Sequence, residues 1–280
     1  MNEAPLISVI VAVFNGASTL QQCIDSVAVQ TWPHRELIVV DGGSNDGTVD
    51  LLRKNEEEIA WWISEPDQGI YDAWNKGVRQ ARGEWICFLG VDDYLWDKLV
   101  LEHMAKGLTT LSSNINIAYG QVMLLDRDGV PLYPIGGDWQ EAKARFRQIM
   151  SIPHPGLMHR RNLFERYGGF DASFRIAGDY EFLQRELKDG DAAFIPGIVT
   201  VGMRYGGISS SPENSLASLR ETRRAQKMHG LPFPGMLWLA AMARIYLRLL
   251  AWSLFGERVA RHLLDLVRRI NGLPSYWTRT

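Results

Sequence analysis

The segment "LISVIVAVFN" (6–15) is continuously apolar and rich in β-branched residues. Such a run is typical of a strand that is buried on both faces, as the strands of a parallel sheet are. The following residues, "STLQQCIDSVAVQ", place apolar side chains at helical spacing, and Ser18 with Gln21 fits a capping box. This part of the chain is therefore predicted to be a buried strand followed by an amphipathic helix.

The same strand-then-helix pattern recurs through the first ninety residues. Three further strands are predicted, "ELIVVDGG" (36–43), "IAWWIS" (59–64) and "EWICFLG" (84–90). A second helix is predicted to start near Asp46 as its N-cap, and a third spans 68–83 with Gly83 at its end. This alternation predicts an α/β domain with a mainly parallel sheet flanked by helices. From about residue 116 the pattern loosens, although "GDYEFLQRELKDG" still predicts a helix.

The composition suits a folded domain with an uneven distribution of charge. A hydrophobic content of 46% and a net charge of −2 argue against disorder and against general nucleic-acid binding. Two cysteines, Cys23 and Cys87, and acids in place of the basic start of a signal peptide predict a reduced, cytoplasmic chain. Residues 204–280 contain 12 Lys and Arg against 4 Asp and Glu, whereas residues 1–203 contain 18 against 28. The tail is therefore expected to face an anionic partner.

Acidic residues follow three of the predicted strands. The strands end at "FNG", "VVDGGSNDG" and "GVDD". Ligands of open parallel sheets bind beyond the carboxyl ends of the strands, so we expect these acids to share one rim, Asp41, Asp46, Asp92 and Asp93. Oxygen ligands of this kind suit Mg²⁺ or Mn²⁺, and such an ion would allow a diphosphate to bind an acidic rim.

Each of these acids also has a simpler interpretation. Asp92 and Asp93 could form a solvated turn after a strand, and Asp41 could form the turn before Gly42. Asp46 fits an N-cap better than a metal ligand. Neighbouring side chains of an extended segment point to opposite sides, which predicts different tasks for Asp92 and Asp93.

Two common nucleotide-binding motifs are absent from the sequence. The turn after the first strand reads "FNGAST", which lacks the glycines of the G-x-G-x-x-G dinucleotide fingerprint. A Walker P-loop is missing as well. A nucleotide would therefore be held by other means.

Four linked motifs resemble those of glycosyltransferase family 2. They lie in three stretches, residues 8–48, "GEWICFLGVDD" and "GGFDASFRIAGDYEF", which follow the order of the family along residues 5 to about 210. The family is inverting and metal-dependent, and the resemblance implies a GT-A type, Rossmann-like fold and a role in bacterial surface polysaccharide synthesis. Val91 departs from the family, which often has Ser or Asp there.

The resemblance implies roles for five residues of the donor site. Phe14 would lie against a uracil ring, and Asp41 would accept a hydrogen bond from the base. Asp67 would lie near the nucleotide. Asp93 would be the main metal ligand, and Asp92 would orient the sugar or ribose.

The resemblance also implies that Asp179 is the general base. Inversion at an anomeric carbon needs the acceptor hydroxyl to lose its proton on the face opposite the leaving diphosphate, and one carboxylate at a helix start can accept it. A simple helix cap is the alternative for Asp179. Glu181 ranks lower, because it lies on another side of the same helix.

Other side chains are weaker candidates. The segment "MRYGGISSS" (203–211) could be a loop that closes over the diphosphate, with Arg204 as a contact, or an ordinary turn. His154 and His159 are expected on opposite faces and hence to be a poor metal pair, with His154 either in the acceptor cleft or structural. Two tryptophans are candidate walls of the acceptor site, Trp96 and Trp139.

The sequence predicts two regions. Residues 1–212 would be the catalytic domain, with 1–115 as the nucleotide-binding half and 116–212 as the acceptor half, and 213–280 a basic amphipathic helical tail. The tail's uninterrupted apolar run ends at Arg244, well short of the roughly 20 residues that a span needs. We therefore expect peripheral contact with a membrane through 235–270, with packing on protein as the alternative.

Taken together, these features predict an inverting transferase that moves a sugar from a nucleotide diphosphate sugar, with UDP favoured, to an acceptor hydroxyl. The acceptor would be a saccharide or lipid-linked saccharide, and the cofactor Mn²⁺ or Mg²⁺. The alternatives are a nucleotidyltransferase, which should have a basic glycine-rich loop after its first strand, and a non-catalytic nucleotide-sugar-binding scaffold. No nucleic-acid partner is expected, and the sequence contains no signal for an oligomeric state.

Overall fold

The computed structural model describes residues 4–126, 128–204, 212–270, 272 and 275–278. The strands in this part of the chain are β1 (Ile7–Val13), β2 (Arg35–Asp41), β3 (Trp61–Ser64), β4 (Trp85–Gly90), β5 (Tyr94–Leu95), β6 (Ile117–Leu125), β7 (Pro131–Ile135), β8 (Met158–Arg160) and β9 (Ala193–Arg204). The helices are α1 (Leu20–Ala28), α2 (Thr48–Lys54), α3 (Ile70–Gln80), α4 (Val100–Thr109), α5 (Trp139–Phe146), α6 (Asn162–Tyr167), α7 (Gly178–Leu187), α8 (Pro212–Met228) and α9 (Met236–Ile270).

The strands form one sheet in the order β3-β2-β1-β4-β8-β6-β9-β5, and β7 pairs with β6. The first four strands along this order are parallel, with Val13 opposite Asp41 where β1 and β2 end. β8 is antiparallel to both β4 and β6, and β6 is parallel to β9. The predicted α/β fold with flanking helices and a helical C-terminal extension is confirmed, and its second half adds antiparallel pairings to the sheet.

Apolar residues cover both faces of the sheet. β1 directs Val9 and Val11 into a core with α1, α2 and α4, and Ile10 into a second core with α3, α5, α6 and α7. Side chains alternate between the faces of a strand, so a strand covered on both faces must be apolar throughout. This is the physical reason for the continuous run at 6–15.

The predicted helix ends are less accurate than the helices themselves. Thr19, not Ser18, is the N-cap of α1, and no side chain caps that end, so the predicted capping box is wrong. α3 ends at Gln80, three residues before Gly83. The N-cap of α2 is Gly47 in the left-handed region, while the neighbouring Asp46 carboxylate accepts from Thr48 N–H at 3.1 Å.

The tail consists of α8 and α9, and α9 is broken at Gly256, where φ is 76° and ψ is 160°. Among the described residues, α9 is the one helix whose length and composition alone would let it cross a membrane. Its most apolar 18-residue window has a mean hydropathy of 1.3, and none of that window is buried.

A buried glutamate joins the strand ends opposite the predicted rim. The Glu36 carboxylate accepts from the Ser8 hydroxyl at 2.6 Å and from the backbone N–H and Nε of Arg82 at 2.7 and 2.8 Å. Ser8 Oγ in turn accepts from Gly83 N–H at 2.9 Å. Burial raises the pKa of Glu36, but the hydrogen bonds from Ser8 and Arg82 outweigh it and hold the pKa below its usual value. β1, β2 and the α3–β4 connection are thus linked through one side chain.

Replacing Glu36 by Ala is expected to lower the free energy of unfolding by about 2–4 kcal/mol, because it leaves buried donors without an acceptor. The stabilisation is present above the usual glutamate pKa and is lost as the pH falls through the lower pKa of the folded state. Urea denaturation at several pH values measures both effects. Glu102→Ala, which removes a surface ion pair with Lys106, is the matched control and should change little. Equal losses in the two variants would contradict the prediction.

Candidate active site

The carboxyl ends of β1, β2 and β4 meet at one rim, as parallel pairing requires. At this rim, hydrogen bonds join the loop after β1 to the loop after β2. Asn15 N–H donates to Ser44 Oγ at 2.7 Å, and Asn45 N–H donates to Asn15 Oδ1 at 3.0 Å. Asn15 has a φ of 51°, a left-handed conformation that asparagine adopts more readily than most residues. The rim therefore has a defined shape before any ligand binds.

Phe14 projects from this rim. Its side chain is 65% exposed, although it directly follows the buried strand β1. An exposed phenylalanine at the end of a buried strand offers a flat apolar face, which a nucleobase could stack on.

Asp41 is completely buried at the end of β2. Its Oδ2 accepts from the Ser64 hydroxyl at 2.6 Å and from the N–H groups of Gly43 and Ser44 at 3.2 and 3.0 Å. Its Oδ1 accepts from the Ser44 hydroxyl. The carboxylate thus shapes the turn after β2, as the turn-forming interpretation predicts, and Ser44 and Ser64 are partners that the sequence analysis missed.

Asp67 lies against the same turn. Its Oδ1 accepts from Gly69 N–H at 2.8 Å, just before α3. A methyl group on Gly42 would come within 2.5 Å of Asp67 Oδ2, so any larger residue there would displace the Asp67 carboxylate. The structure therefore brings Asp41 and Asp67 to one place.

Asp46 has a structural role. Its Oδ2 accepts from Ala17 N–H at 3.0 Å and its Oδ1 accepts from the Thr48 hydroxyl at 2.6 Å. The Thr48 hydrogen bond, followed by that of Ala17, lowers the pKa of Asp46. These contacts join the loops after β1 and β2.

Asp92 and Asp93 lie together over Gly90. A methyl group on Gly90 would lie 2.9 Å from Asp92 Oδ1 and 3.1 Å from Asp93 Oδ2. The expectation that the two side chains point to opposite sides is therefore wrong. The reason is that residues 90–93 form a turn, closed by a hydrogen bond from Asp93 N–H to Gly90 O at 3.1 Å, and are not extended.

The Asp93 side chain is nearly buried. Burial, and then the negative charge of Asp92, raise the pKa of Asp93 well above its usual range, although backbone N–H groups of Gly90 and Arg204 oppose the shift. A second charge beside a buried carboxylate costs free energy unless a cation compensates it.

A thiol lies directly behind this pair. Cys23 of α1 is fully buried, and its Sγ lies 3.9 Å from Gly90 O. Burial, and then Asp93 and Asp92, raise the pKa of the Cys23 thiol far above its usual value. The thiol therefore stays protonated.

Arg204 ends β9 beside the acid pair. Its guanidinium donates to Gln22 Oε1 at 2.6 Å, which ties β9 to α1. Of the predicted loop 203–211, residues 205–211 lie outside the described residues.

The acid pair fits a divalent ion by its chemistry. Asp92 and Asp93 supply hard oxygen ligands, and the raised pKa of Asp93 marks an uncompensated negative site. No group of three or more His, Cys, Asp or Glu is gathered as a metal cluster within the described part of the chain. An ion held by two carboxylates would complete its shell with water and substrate oxygens, as Mg²⁺ commonly does.

Asp179 lies in the first turn of α7, beside α3. Its Oδ1 accepts from the Tyr71 hydroxyl at 3.3 Å and from Tyr180 N–H at 2.7 Å. Burial raises the pKa of Asp179 to about 6; the hydrogen bonds from Tyr180 and Tyr71 oppose the shift, and the charge of Glu221 adds to it. Tyr71 is only four residues beyond Asp67, so the start of α3 connects the rim to Asp179. The sequence analysis missed both Tyr71 and Glu221.

Glu181 is engaged elsewhere, which agrees with its lower rank. Its carboxylate pairs with Arg185 at 2.5 Å and lies 2.9 Å from His229 Nε2. Burial raises its pKa, but His229 and Arg185 outweigh the effect and keep the pKa low. Glu181 thus forms an ion pair within α7 and a hydrogen-bond contact with His229, just beyond the end of α8.

The candidate histidines and tryptophans mainly pack inside the protein. His154 and His159 are buried with ring centroids 5.2 Å apart, so the expectation of opposite faces is wrong. A turn closed by Leu157 N–H to His154 O brings the rings together. Trp139 is buried and donates to Asp191 at 2.7 Å, which contradicts a role as a wall of an open site. Trp96 packs against the core while partly exposed.

Comparison with known proteins identifies the family. The family model for "Glycosyl transferase family 2" matches residues 8–167. The chain belongs to this family. This family 2 transferase is 32% identical over 222 residues to a PGL/p-HBAD biosynthesis glycosyltransferase of Mycobacterium tuberculosis, covering 78% of the chain and 80% of that relative. It is also 35% identical over 187 residues to an uncharacterized glycosyltransferase of the same species, covering 66% and 70%.

Solved structures confirm the GT-A type fold of the transferase. S. aureus TarS 1–349 in complex with UDP-GlcNAc matches with a TM-score of 0.62 at 17% identity, covering 94% of this chain and 77% of that one. The mannosyltransferase PcManGT from Pyrobaculum calidifontis, in complex with GDP-Man and Mn²⁺, matches with a TM-score of 0.62 at 18% identity. The match covers 96% of this chain and 81% of that one. These structures show the fold; the family model and the mycobacterial relatives show that the chain is an enzyme of a sugar-transferring family.

Replacing Asp93 by Asn is expected to raise the Tm of the ligand-free protein and to abolish stabilisation by Mn²⁺ with UDP. A raised pKa means that the charged carboxylate destabilises the fold above its unfolded pKa, and that this cost disappears as the pH falls. Differential scanning fluorimetry near neutral pH, with and without Mn²⁺ and UDP, measures both changes. Asp50→Asn, at an exposed aspartate of α2, is the control. An Asp93→Asn variant with a lower Tm than the wild type, or one that keeps the Mn²⁺-dependent rise in Tm, would contradict the prediction that Asp93 is the metal ligand.

Proposed function

We propose that the protein is an inverting glycosyltransferase that moves a sugar from a UDP-sugar to an acceptor hydroxyl. The observation that carries the proposal is the acid pair over Gly90, in which Asp93 is buried and Asp92 half-buried, at the same rim as the exposed Phe14. An aromatic face and a site for a cation are what a nucleoside diphosphate needs from an acidic surface. TarS binds UDP-GlcNAc and PcManGT binds GDP-Man with Mn²⁺, and the shared fold supports a donor of this class.

The donor residues have separate tasks in this proposal. Phe14 stacks on the base, and the turn held by Asp41 and Asp67 receives the base and ribose. Asp93 holds Mn²⁺ or Mg²⁺, and Asp92 orients the sugar or ribose. The ion, when bound, would neutralise charge on the departing diphosphate. Arg204 adjoins Asp93 through its backbone N–H, and its guanidinium, which donates to Gln22, is proposed as a further contact for the diphosphate.

Asp179 is proposed as the general base. The acceptor oxygen forms a bond to the anomeric carbon while the bond to the diphosphate oxygen breaks, and the acceptor proton passes to Asp179. A single carboxylate suffices because inversion needs no covalent intermediate. A pKa near 6 leaves Asp179 ionised at neutral pH yet basic enough to accept the proton.

The two alternatives are less consistent with the site. A nucleotidyltransferase would need a basic loop after β1, and the residues that join β1 to α1 include no Lys or Arg. A non-catalytic scaffold would not need a carboxylate with a raised pKa beside the donor loops.

Replacing Asp179 by Asn tests the proposal. A panel of UDP- and GDP-sugars with Mn²⁺ first identifies the donor by its hydrolysis. Asp179→Asn is then expected to lower kcat by roughly 10²- to 10⁴-fold and to leave donor affinity unchanged, because the base acts on the acceptor. In the wild type, kcat/KM should fall as the pH drops through about 6, because protonation of Asp179 removes the base.

Tyr71→Phe is the companion variant. It removes a hydrogen bond that lowers the pKa of Asp179, so the acid limb should move to higher pH. Retention of turnover in Asp179→Asn would refute the assigned chemistry, and loss of donor binding would move Asp179 into the donor site.

We also propose that the tail contacts a membrane, where a lipid-linked acceptor of surface polysaccharide synthesis would be available. Each half of α9 exposes an apolar stripe. The stripe before Gly256 consists of Leu239, Tyr246, Leu247, Leu250 and Leu254, and the stripe after it of Val259, Leu263, Leu266 and Ile270. The positions recur at helical spacing, which suits helices that lie in the plane of a membrane interface.

The charges of α9 favour lying on the bilayer over crossing it. Arg244 and Arg248 fall within the apolar half, and each arginine at the centre of a bilayer costs about 2.5–3.5 kcal/mol on insertion scales. Near an anionic surface each basic residue instead contributes about 1 kcal/mol of attraction. The proposed location is therefore cytoplasmic and peripheral, with 213–280 as the tail and 1–212 as the catalytic domain.

The doubly substituted variant Leu250→Glu, Leu254→Glu is expected to lose binding to vesicles that contain an anionic phospholipid. Charged side chains on the stripe would oppose its burial among acyl chains. Cosedimentation of the full chain measures binding, with neutral vesicles and high salt as comparisons. Val29→Glu, at another exposed apolar residue, is the control and should bind normally. A wild-type chain that ignores anionic vesicles would disprove membrane contact.

A further inference from the structure

Helix α8 holds the segment that leads into the candidate general base. The segment is residues 171–177, which immediately precede α7. Arg224 of α8 donates to Ser173 O at 3.2 Å, and its guanidinium lies 4.1 Å from the centre of the Phe174 ring. The same helix therefore contacts the segment at its start and, through Glu221, at its end.

The Glu221 carboxylate receives three successive backbone N–H groups. It accepts from Arg175 at 3.0 Å, Ile176 at 2.8 Å and Ala177 at 2.9 Å. Ala177 is the N-cap of α7 and has no side chain that could cap the helix itself. Glu221 thus supplies, from another helix, the acceptor that an N-terminus needs.

The segment is held from the opposite side as well. Ile176 O accepts from the Tyr71 hydroxyl at 2.7 Å, and the same hydroxyl lies 3.3 Å from Asp179 Oδ1. The peptide groups around Ile176 are therefore held by α8 through N–H and by α3 through C=O. A methyl group on Gly178 would come within 2.8 Å of the Tyr71 ring, so the start of α7 packs closely against α3 just after the segment.

Helix α8 is itself fixed to the catalytic part of the chain. Gln226 donates to Gln148 O at 2.7 Å, and His229, just beyond the helix, pairs with the buried Glu181 of α7. Glu221 is therefore presented from a rigid support.

We propose that Glu221 is a positioning residue for Asp179: it holds the N-terminal segment of α7 so that the carboxylate meets the acceptor hydroxyl in a productive geometry. This inference rests on the proposed function, since it needs Asp179 to be the base. Small displacements of a reacting group can cost roughly 10²-fold in rate, so the anchor matters beyond its contribution to folding.

The charge of Glu221 has a second effect on the same carboxylate. The titratable groups that face Asp179 are Tyr71 from α3 and Glu221 from α8, together with backbone N–H groups of α7 itself. A negative charge nearby favours the protonated form of Asp179, so Glu221 raises its pKa. A residue that only held the fold together would not be expected to move the pH profile of catalysis.

The test is Glu221→Gln in the full chain. Glutamine has nearly the same volume but one carbonyl acceptor and no charge, so it cannot satisfy all three N–H groups. We expect kcat to fall about tenfold or more, donor affinity to stay within about twofold, and the acid limb of kcat/KM to move to lower pH.

Glu186→Gln is the matched control. Glu186 lies on the same helix as Asp179, has a largely buried side chain, and accepts from Asn116 Nδ2 at 2.7 Å and the Tyr167 hydroxyl at 2.9 Å. It should cost similar Tm but leave kcat and the pH profile unchanged. If Glu221→Gln, like Glu186→Gln, leaves kcat and the acid limb of kcat/KM unchanged, the inference is wrong.

Asp179→Asn separates this inference from the proposed function. If Asp179→Asn retains turnover, the assignment of the base fails. If it is inactive while Glu221→Gln behaves like the control, only the positioning role fails. In the Asp179→Asn background, adding Glu221→Gln should lower the residual rate no further, and a further tenfold loss would overturn the proposal.

Discussion

The parallel pairing of β1 with both β2 and β4 is the constraint on which the rest of the molecule depends. It requires three buried strands to end together, so everything that follows them in sequence is gathered at one edge. The strand pairing brings Phe14, the Asp41 turn and the Gly90–Asp93 turn to this edge, and contacts such as that of Asn15 N–H with Ser44 Oγ then join the loops. At the opposite, N-terminal ends of these strands, hydrogen bonds of Glu36 link β1, β2 and the residues that precede β4.

The acid pair at this edge places an unfavourable negative charge inside the ligand-free fold. Asp93 is buried beside another carboxylate, and the fold bears that cost in the absence of a compensating cation. Asp179 is a different kind of site: one carboxylate, set apart from the pair, whose pKa is raised mainly by burial and only moderately. In the proposed function, two acids bind a cation at the edge and a third accepts a proton at the start of α7, so the two places have separate chemical characters.

The sequence predicted the elements better than their junctions. Continuous apolar runs identified β1, β2 and β4, because burial on both faces leaves little choice of residue. It failed at turns: Asp92 with Asp93, and His154 with His159, were assigned to opposite faces on the assumption of extended backbone, and turns bring each pair together. Glu221 could not be predicted, since its partners lie more than forty residues away and its helix was interpreted from charge and hydropathy alone. Packing between α7 and α8, not local pattern, gives that residue its position.

Cys23 shows a consequence of placing two acids on top of a buried sulfur. The thiolate is the form that reacts with alkylating agents and peroxide, and the surroundings of Cys23 strongly disfavour it. Cys87 is equally buried, and burial likewise raises its pKa. The enzyme should therefore tolerate oxidants and need no reducing agent to remain functional, an inertness that comes from the burial of both thiols and, for Cys23, from the two acids beside it.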